Sequence, residues 1–183
     1  MKRLHTTLGA AVLLGVLSIG AHDAMNAARD WESMGPAAPG TSLQDFSVQR
    51  LDGKRLEHAD LLGKVSVVTF WATWCGPCQS ELADLDELDD AYAGRDDVQF
   101  VAVNWEGGGY SAEQRRKITA AHVESIGLGL PVAVDNGAMA HALRVRGVPH
   151  TLVVDAHGVV RYVYPGRVRA ATIAEDIAAL TSE

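Results

Sequence analysis

A Cys-Gly-Pro-Cys segment at residues 75–78 constrains this chain more than any other feature, because it holds both cysteines and separates two runs of different character. The run from Val65 to Phe70 is apolar and β-branched, which predicts a buried strand. The run from Gln79 to Ala93 is amphipathic, which predicts a helix. In the first turn of that helix, residues three apart lie on one side. The two cysteines can therefore reach the Cα separation of about 4.4–6.8 Å that a disulfide requires.

This arrangement predicts a thiol–disulfide redox site. A helix N-terminus carries unpaired N–H groups and a partial positive charge, so a thiolate of Cys75 is stabilised there and becomes a nucleophile at neutral pH. Pro77 suits the first turn, where its missing N–H costs nothing. A zinc site is disfavoured because the sequence has no His-x₃₋₅-His pair to complete it. A structural disulfide is also disfavoured, since closing so small a loop stabilises a fold least.

The N-terminal residues have a composition of their own. Lys2 and Arg3 precede an apolar run from Leu8 to Ala21, which is the layout of a secretory signal peptide. We predict a signal peptide at residues 1–24; an uncleaved N-terminal anchor is the alternative, because no clean cleavage site is present. Export would place the dithiol outside the cytoplasm, where disulfides persist. The formal net charge of −7 argues against a nucleic-acid partner.

The rest of the chain predicts a linker at residues 25–40, which are rich in Gly, Pro and Ala, and one α/β domain at residues 41–183. The remaining predicted elements are a hairpin at 44–56 that turns at Asp52-Gly53, a strand at 98–103, a helix from 111 to about 125, a strand at 131–134, a helix at 138–145, a hairpin of strands 151–155 and 159–163, and a helix at 168–180. Strands and helices alternate early and an antiparallel pair comes late, which indicates a sheet of mixed direction.

Two segments together resemble a known family. Residues 70–78, Phe-Trp-Ala-Thr-Trp-Cys-Gly-Pro-Cys, resemble the active site of thioredoxin, and residues 147–151, Gly-Val-Pro-His-Thr, resemble the thioredoxin-fold loop that carries a cis-proline opposite the dithiol. With the leading hairpin, the extra segment 98–145 and the predicted export, residues 41–180 are similar to extracytoplasmic thioredoxin-like reductases of the TlpA and ResA kind. The resemblance implies a thioredoxin fold, in which helices flank a central mixed sheet, with an N-terminal hairpin and a βα insertion.

The same resemblance assigns roles to residues. It implies that Cys75 is the nucleophilic cysteine and Cys78 the resolving one. Glu81 matches an acidic residue that such proteins carry three positions after the second cysteine. At about 100° per residue, Glu81 also falls in the apolar arc of its helix, which favours a functional carboxylate, although Asp89 falls in the same arc. The alternative is an acid favoured in the first turn by the helix dipole.

Other positions follow the family pattern or depart from it. The Val148-Pro149 bond is expected to be cis and packed against the dithiol. Thr69 stands where thioredoxin has a buried aspartate, so the proton relay must differ and Glu81 is the substitute. His150 follows the proline where threonine is usual; it either titrates near the site and tunes it or lies at its rim. The residues expected to contact the substrate are Trp74, Gly76, Pro77, Val148, Pro149 and His150.

These observations predict an exported thiol–disulfide oxidoreductase. A protein disulfide reductase is favoured, with cytochrome c maturation as one candidate process, and a DsbA-like oxidase is the alternative. A peroxidase is disfavoured because Val68 occupies the place of the proline in the peroxidatic Pro-x-x-x-Thr/Ser-x-x-Cys pattern. A binding module without chemistry is disfavoured because both cysteines are intact.

The expected partners are disulfide-bearing proteins and a membrane-borne electron donor. We expect no metal, no organic cofactor and no nucleic acid. We also expect a monomer in the periplasm or another extracytoplasmic space, either free or held by an N-terminal membrane tether.

Overall fold

The structure, a computed structural model, describes residues 36–182 of the chain. Within this part, the strands are β1 (Ser47–Arg50), β2 (Arg55–Glu57), β3 (Val65–Trp71), β4 (Val98–Asn104), β5 (Val132–Val134), β6 (His150–Val154) and β7 (Val160–Pro165). The α-helices are α1 (Gly76–Ala91), α2 (Ala112–Ile126), α3 (Ala138–Ala142) and α4 (Ala170–Thr181), and a short 3-10 helix spans His58–Leu61. The order of the predicted elements is confirmed.

The strands form one sheet in the order β2-β1-β5-β4-β3-β6-β7. Strands β3, β4 and β5 run parallel, whereas β6 pairs antiparallel with both β3 and β7. The β1–β2 hairpin joins the other side of the sheet antiparallel through β5. The sheet therefore has the mixed direction that the sequence predicted.

Strand β3 lies inside the sheet, between β4 and β6, and all of its residues are buried. Successive side chains point to opposite faces of a strand. Val68 and Phe70 therefore pack in one core layer, with the hairpin and α3. Val67 and Trp71 pack in the other layer, with α1 and α4. Both cysteines belong to this second layer, at the end where β3 stops.

Two helix ends differ from the prediction by three residues, because the apolar pattern does not mark them. Helix α1 begins at Gly76 and not at Gln79, since the glycine and proline of its first turn add nothing to the apolar period. Helix α3 ends at Ala142 and not at Val145. Arg144 has a φ of 53°, in the left-handed region, which a continuing right-handed helix does not allow.

The first described residues pack on the domain. The side chain of Ala37 is buried in the core layer of the hairpin. The Gly40 N–H donates to the Val160 carbonyl at 2.8 Å, and Ser42 forms a bridge with Val159. The predicted signal peptide and most of the predicted linker lie outside the described residues. No helix between residues 36 and 182 is both long and apolar enough to cross a membrane.

Candidate active site

Cys75 and Cys78 lie at the start of α1 and are joined by a disulfide, with their Cα atoms 5.3 Å apart. Cys75 is the N-cap of the helix, and its carbonyl accepts the Cys78 N–H at 3.1 Å. Once the pair is reduced, the Cys75 sulfur lies where unpaired N–H groups favour an anion. Cys78 lies inside the first turn and is 1% exposed, so burial favours its neutral thiol. This geometry favours Cys75 as the attacking sulfur.

Exposed residues flank the nearly buried Cys75. Trp74 is 66% exposed, and Gly76 and Pro77 are exposed in the first turn of α1. The indole N–H of Trp74 donates to the Glu106 carbonyl at 3.4 Å, so the ring is attached to the fold despite its exposure. The structure thus offers surface that a protein substrate can contact beside the reactive sulfur.

The loop before β6 lies at the same edge of the sheet, because Phe70 at the end of β3 pairs with His150 at the start of β6. The Val148–Pro149 peptide bond is cis, which confirms the prediction. Val148 packs against the core layer that contains both cysteines. Val148, Pro149 and Val163 line a cavity of about 390 Å³ beside the loop. The fold therefore brings together the two segments that carried the family resemblance.

Glu81 lies one turn after Cys78 and is 1% exposed. Its Oε1 accepts hydrogen bonds from the Thr151 hydroxyl at 2.5 Å and the Thr69 hydroxyl at 3.2 Å. Its Oε2 accepts the Val168 backbone N–H at 3.0 Å. Thr69, at the position of the thioredoxin aspartate, is thus a hydrogen-bond partner of Glu81.

Burial raises the pKa of Glu81, and its three hydrogen bonds and the charge of Arg167 oppose that rise without cancelling it. Asp89, the other acid in the predicted arc, is only half-buried. Its pKa is raised by burial and by the neighbouring acids Asp86 and Asp90. Of these two acids, Glu81 is the one enclosed at the active-site end of the helix. A carboxyl group with a raised pKa is suited to exchange a proton near neutral pH.

Comparison with known proteins identifies the family. A model described as the AhpC/TSA family matches residues 39–163. The chain belongs to this family. The thioredoxin-like protein YneN of Bacillus subtilis is 32% identical over 127 residues, which cover 69% of this chain and 71% of that protein. The thiol-disulfide oxidoreductase ResA of Halalkalibacterium halodurans is 28% identical over 131 residues, which cover 71% of this chain and 70% of that protein.

A solved structure agrees with these relatives. The thiol:disulfide interchange protein of the thioredoxin family from Chlorobium tepidum matches with a TM-score of 0.65 and 27% identity, over 80% of this chain and 99% of that one. The predicted thioredoxin fold and the resemblance to ResA-like proteins are confirmed. With its Cys75–Cys78 pair, this member of the AhpC/TSA family is a thiol–disulfide oxidoreductase of the ResA type.

His150 of this oxidoreductase is buried, which disfavours the alternative that it lies exposed at the rim of the site. It is 5% exposed and opens β6. Burial lowers the pKa of His150, which keeps the imidazole neutral at neutral pH. Among the described residues, its buried Nε2 has no hydrogen-bond partner. Contact between His150 and a substrate stays a prediction.

A second buried acid, Glu106, was not among the predicted site residues. It lies two residues after the end of β4 and is 6% exposed. Its Oε1 accepts the Thr73 backbone N–H and the Asn104 side-chain amide, each at 2.8 Å, and its Oε2 accepts the Thr73 hydroxyl at 3.1 Å. Only the topology of the sheet could have indicated that Glu106 lies near the dithiol. Because β3 and β4 are parallel neighbours, the residues that follow them meet at one edge of the sheet.

A further set of contacts reaches the active-site loop from α1 and α2. Gln79 Nε2 donates to the carbonyls of Ala72 and Cys75, each at 3.4 Å. Gln79 Oε1 pairs with His122 Nε2 at 2.8 Å. The His122 ring also contacts the Trp71 ring, with centroids 5.6 Å apart. The inserted helix α2 therefore supports the loop that carries the dithiol.

Proposed function

We propose that this thiol–disulfide oxidoreductase is an exported protein disulfide reductase. The observation that carries the proposal is the pair of residues between the cysteines: Gly76 and Pro77 stand there as in thioredoxin. Thioredoxin has a reduction potential of about −270 mV, against about −120 mV for the oxidase DsbA. The exposed Trp74 beside Cys75 supports a protein substrate, because it offers a large amphipathic contact surface.

The first step starts from the reduced pair. The Cys75 thiolate attacks one sulfur of a substrate disulfide, the substrate S–S bond breaks, and its second sulfur leaves as a thiolate that takes a proton from water. Cys75 is then joined to the substrate through a mixed disulfide. The exposed residues 74, 76 and 77 and the loop at 148–150 hold the substrate segment during this step.

The second step requires Cys78 to lose its proton, and Glu81 accepts it. The Cys78 thiolate attacks the Cys75 sulfur, the bond between Cys75 and the substrate sulfur breaks, and that sulfur leaves as a thiolate that takes a proton from water, so the substrate has gained two electrons and become a dithiol. The product is the Cys75–Cys78 disulfide. A membrane-borne dithiol donor then returns two electrons to it, since an oxidising compartment offers no general supply of reductant.

Export and cytochrome c maturation belong to this proposal. The signal-peptide layout of residues 1–24 supports a place in the periplasm or another extracytoplasmic space. The TlpA and ResA resemblance supports apocytochromes as substrates. A host strain that lacks the gene should lose holocytochrome c and should recover it when an external thiol is added. Normal holocytochrome levels in that strain would exclude this substrate.

The direction of electron flow is tested by the reduction potential of the Cys75–Cys78 pair. The protein is equilibrated with dithiothreitol or glutathione buffers and the free thiols are counted. We expect a potential below about −200 mV, within the range of thioredoxins and glutaredoxins, together with reduction of insulin. A value near −120 mV would support the DsbA-like oxidase instead.

The order of attack is tested with two cysteine variants. Cys78→Ser lacks the resolving thiol and should trap substrates as mixed disulfides, whereas Cys75→Ser should trap none. Non-reducing gels count the trapped species. Equal trapping by both variants would contradict the assignment of Cys75 as the nucleophile.

A further inference from the structure

We infer that Glu106 is a positioning residue for the dithiol: it fixes residues 73 and 74 and thereby sets where the Cys75 sulfur meets a substrate. Three hydrogen bonds of Glu106 go to these two residues. Its Oε1 and Oε2 accept the N–H and the hydroxyl of Thr73, and its carbonyl accepts the indole N–H of Trp74. Glu106 thus holds the two residues that directly precede the nucleophile.

The chemistry of the hydrogen bonds that Glu106 accepts indicates that it holds the loop firmly. Burying a carboxylate is unfavourable unless donors surround it, and Glu106 is 6% exposed with three donors around its two oxygens. Hydrogen bonds to a charged acceptor are stronger than neutral ones. Two of the three donors belong to Thr73, so most of this interaction acts on the loop and only the Asn104 amide belongs to the sheet.

The other side chain that holds the loop, Gln79, makes longer hydrogen bonds to it. Gln79 reaches the Ala72 and Cys75 carbonyls only at 3.4 Å, whereas the Glu106 bond to the Thr73 N–H is 2.8 Å long. Attack on a disulfide requires the incoming sulfur in a defined place, and a displacement of about 1 Å can cost 10²-fold in rate. The loop therefore needs a short, directional attachment, and Glu106 provides one.

Glu106 is itself held in place by side-chain hydrogen bonds that lead to α2. The Asn104 amide donates to Glu106 Oε1 at 2.8 Å, and Asn104 Oδ1 accepts the Thr119 hydroxyl at 2.7 Å. Thr119 lies on α2 and is fully buried. The insertion that contains α2 is thus connected through side chains to the residues before Cys75.

The test compares Glu106→Ala and Glu106→Gln with Asp86→Ala as the matched control. Asp86 is also a carboxylate that accepts backbone N–H groups, those of Gly129 and Leu130, but it lies away from the dithiol. The readouts are the rate at which iodoacetamide alkylates Cys75 in the reduced protein as a function of pH, the reduction potential, insulin reduction and the denaturation midpoint. Alkylation of Cys75 needs no substrate, so this readout does not depend on the proposed direction of electron flow, whereas insulin reduction does.

We expect Glu106→Ala to lower the rate of insulin reduction about 10-fold and to change the pH profile of Cys75 alkylation. Glu106→Gln should stay within about threefold of the wild type, because its amide oxygen can accept from Thr73 and its amino group can donate to the Thr73 hydroxyl. Asp86→Ala should lower the denaturation midpoint and leave the alkylation profile unchanged.

Three results would overturn the inference. They are a Glu106→Ala protein with wild-type alkylation and insulin reduction, a Glu106→Gln protein as impaired as Glu106→Ala, or an Asp86→Ala protein with the same loss of reactivity. If Glu106→Ala does not fold, Thr73→Val takes its place in the test. This substitution removes only the hydrogen bond from the Thr73 hydroxyl to Glu106. An unchanged alkylation profile in Thr73→Val, together with a wild-type profile in Glu106→Gln, would then refute positioning by these hydrogen bonds.

Discussion

Substitution of Glu81 by glutamine tests whether this buried carboxylate takes the proton of Cys78. The amide can turn its oxygen toward the Val168 N–H and its amino group toward the hydroxyls of Thr69 and Thr151, which can rotate to accept. The hydrogen-bond network is kept and only the base is lost. Glu81→Gln should therefore capture substrate at the normal rate and resolve the mixed disulfide slowly.

The expected loss of rate in Glu81→Gln follows from the loss of one general base. A positioned general base contributes about 10²–10⁴-fold, and we expect about 10²-fold here because water can accept the proton instead. This corresponds to about 2.7 kcal/mol of activation free energy.

Alanine at position 81 would be less informative than glutamine. It leaves the Val168 N–H and one threonine hydroxyl without an acceptor, since Thr151 can still donate to Thr69 at 2.9 Å, and each such group costs about 1–3 kcal/mol of folding stability.

The assay mixes reduced enzyme with a model disulfide protein, quenches samples with acid at fixed times, and counts the mixed disulfide on a non-reducing gel. The matched control is Asp89→Asn, which neutralises the other acid in the same arc of α1 and should leave both steps unchanged. If no intermediate accumulates in Glu81→Gln and its turnover matches that of the wild type, Glu81 is only a first-turn acid. The proton of Cys78 then goes to water.

The same variant gives a prediction for the pH dependence of stability. Burial raises the pKa of Glu81 in the folded protein above its ordinary value of 4.5. The group therefore stabilises the fold fully below pH 4.5, and this contribution is lost as the pH rises through the raised pKa. Glutamine does not ionise, so the unfolding free energy of Glu81→Gln should improve relative to the wild type as the pH rises. A difference that stays constant between pH 4 and pH 8 would contradict the raised pKa.

Three further substitutions test residues that contribute either to the stability of the fold or to recognition of a protein substrate. Asp86→Ala leaves the N–H groups at 129–130 without their acceptor and should lower the unfolding free energy by about 1 kcal/mol, measured with urea. Gly158→Ala should cost about 1 kcal/mol or more, because φ is +76°, a conformation in which a residue with a Cβ is strained; the exposed Leu62 side chain, 2.8 Å from the new Cβ, would only have to move aside, and a wild-type urea midpoint would contradict this. Trp74→Ala should lower kcat/KM more for insulin than for a small disulfide, because the exposed ring offers contact surface to a large substrate, whereas the lost bond to the Glu106 carbonyl affects both reactions; an equal loss with both would refute a role in recognition.

The elements that local pattern determines were predicted well. Strand β3 appeared as an apolar run because it is covered on both faces. The first hairpin appeared through Asp52-Gly53, where Gly53 has a φ of +86°, which glycine adopts without strain. The pairing of the two cysteines followed from helix geometry, since three residues along a first turn bring their Cα atoms within reach.

The features that depend on distant residues could not be read locally. Helical period alone placed Glu81 and Asp89 in one arc, and only the enclosure by strands β3 and β6 and by Val168 separates them. Glu106 acts on Thr73, which is 33 residues earlier in the chain. The sequence left two positions open for His150, because it does not show that β6 lies between β3 and β7.

The two edges of the sheet bear on how this oxidoreductase can meet a disulfide-bearing protein. Strand β2 is only three residues long, with Arg55 and Glu57 exposed at its ends. Strand β7 is paired at its start by the segment around Gly40 and ends at Pro165, which has no N–H to offer. An exposed, unpaired sheet edge is a template on which another extended chain can pair. With both edges blunted in this way, a client chain can exchange its disulfide at Cys75 without being drawn into an intermolecular β-sheet.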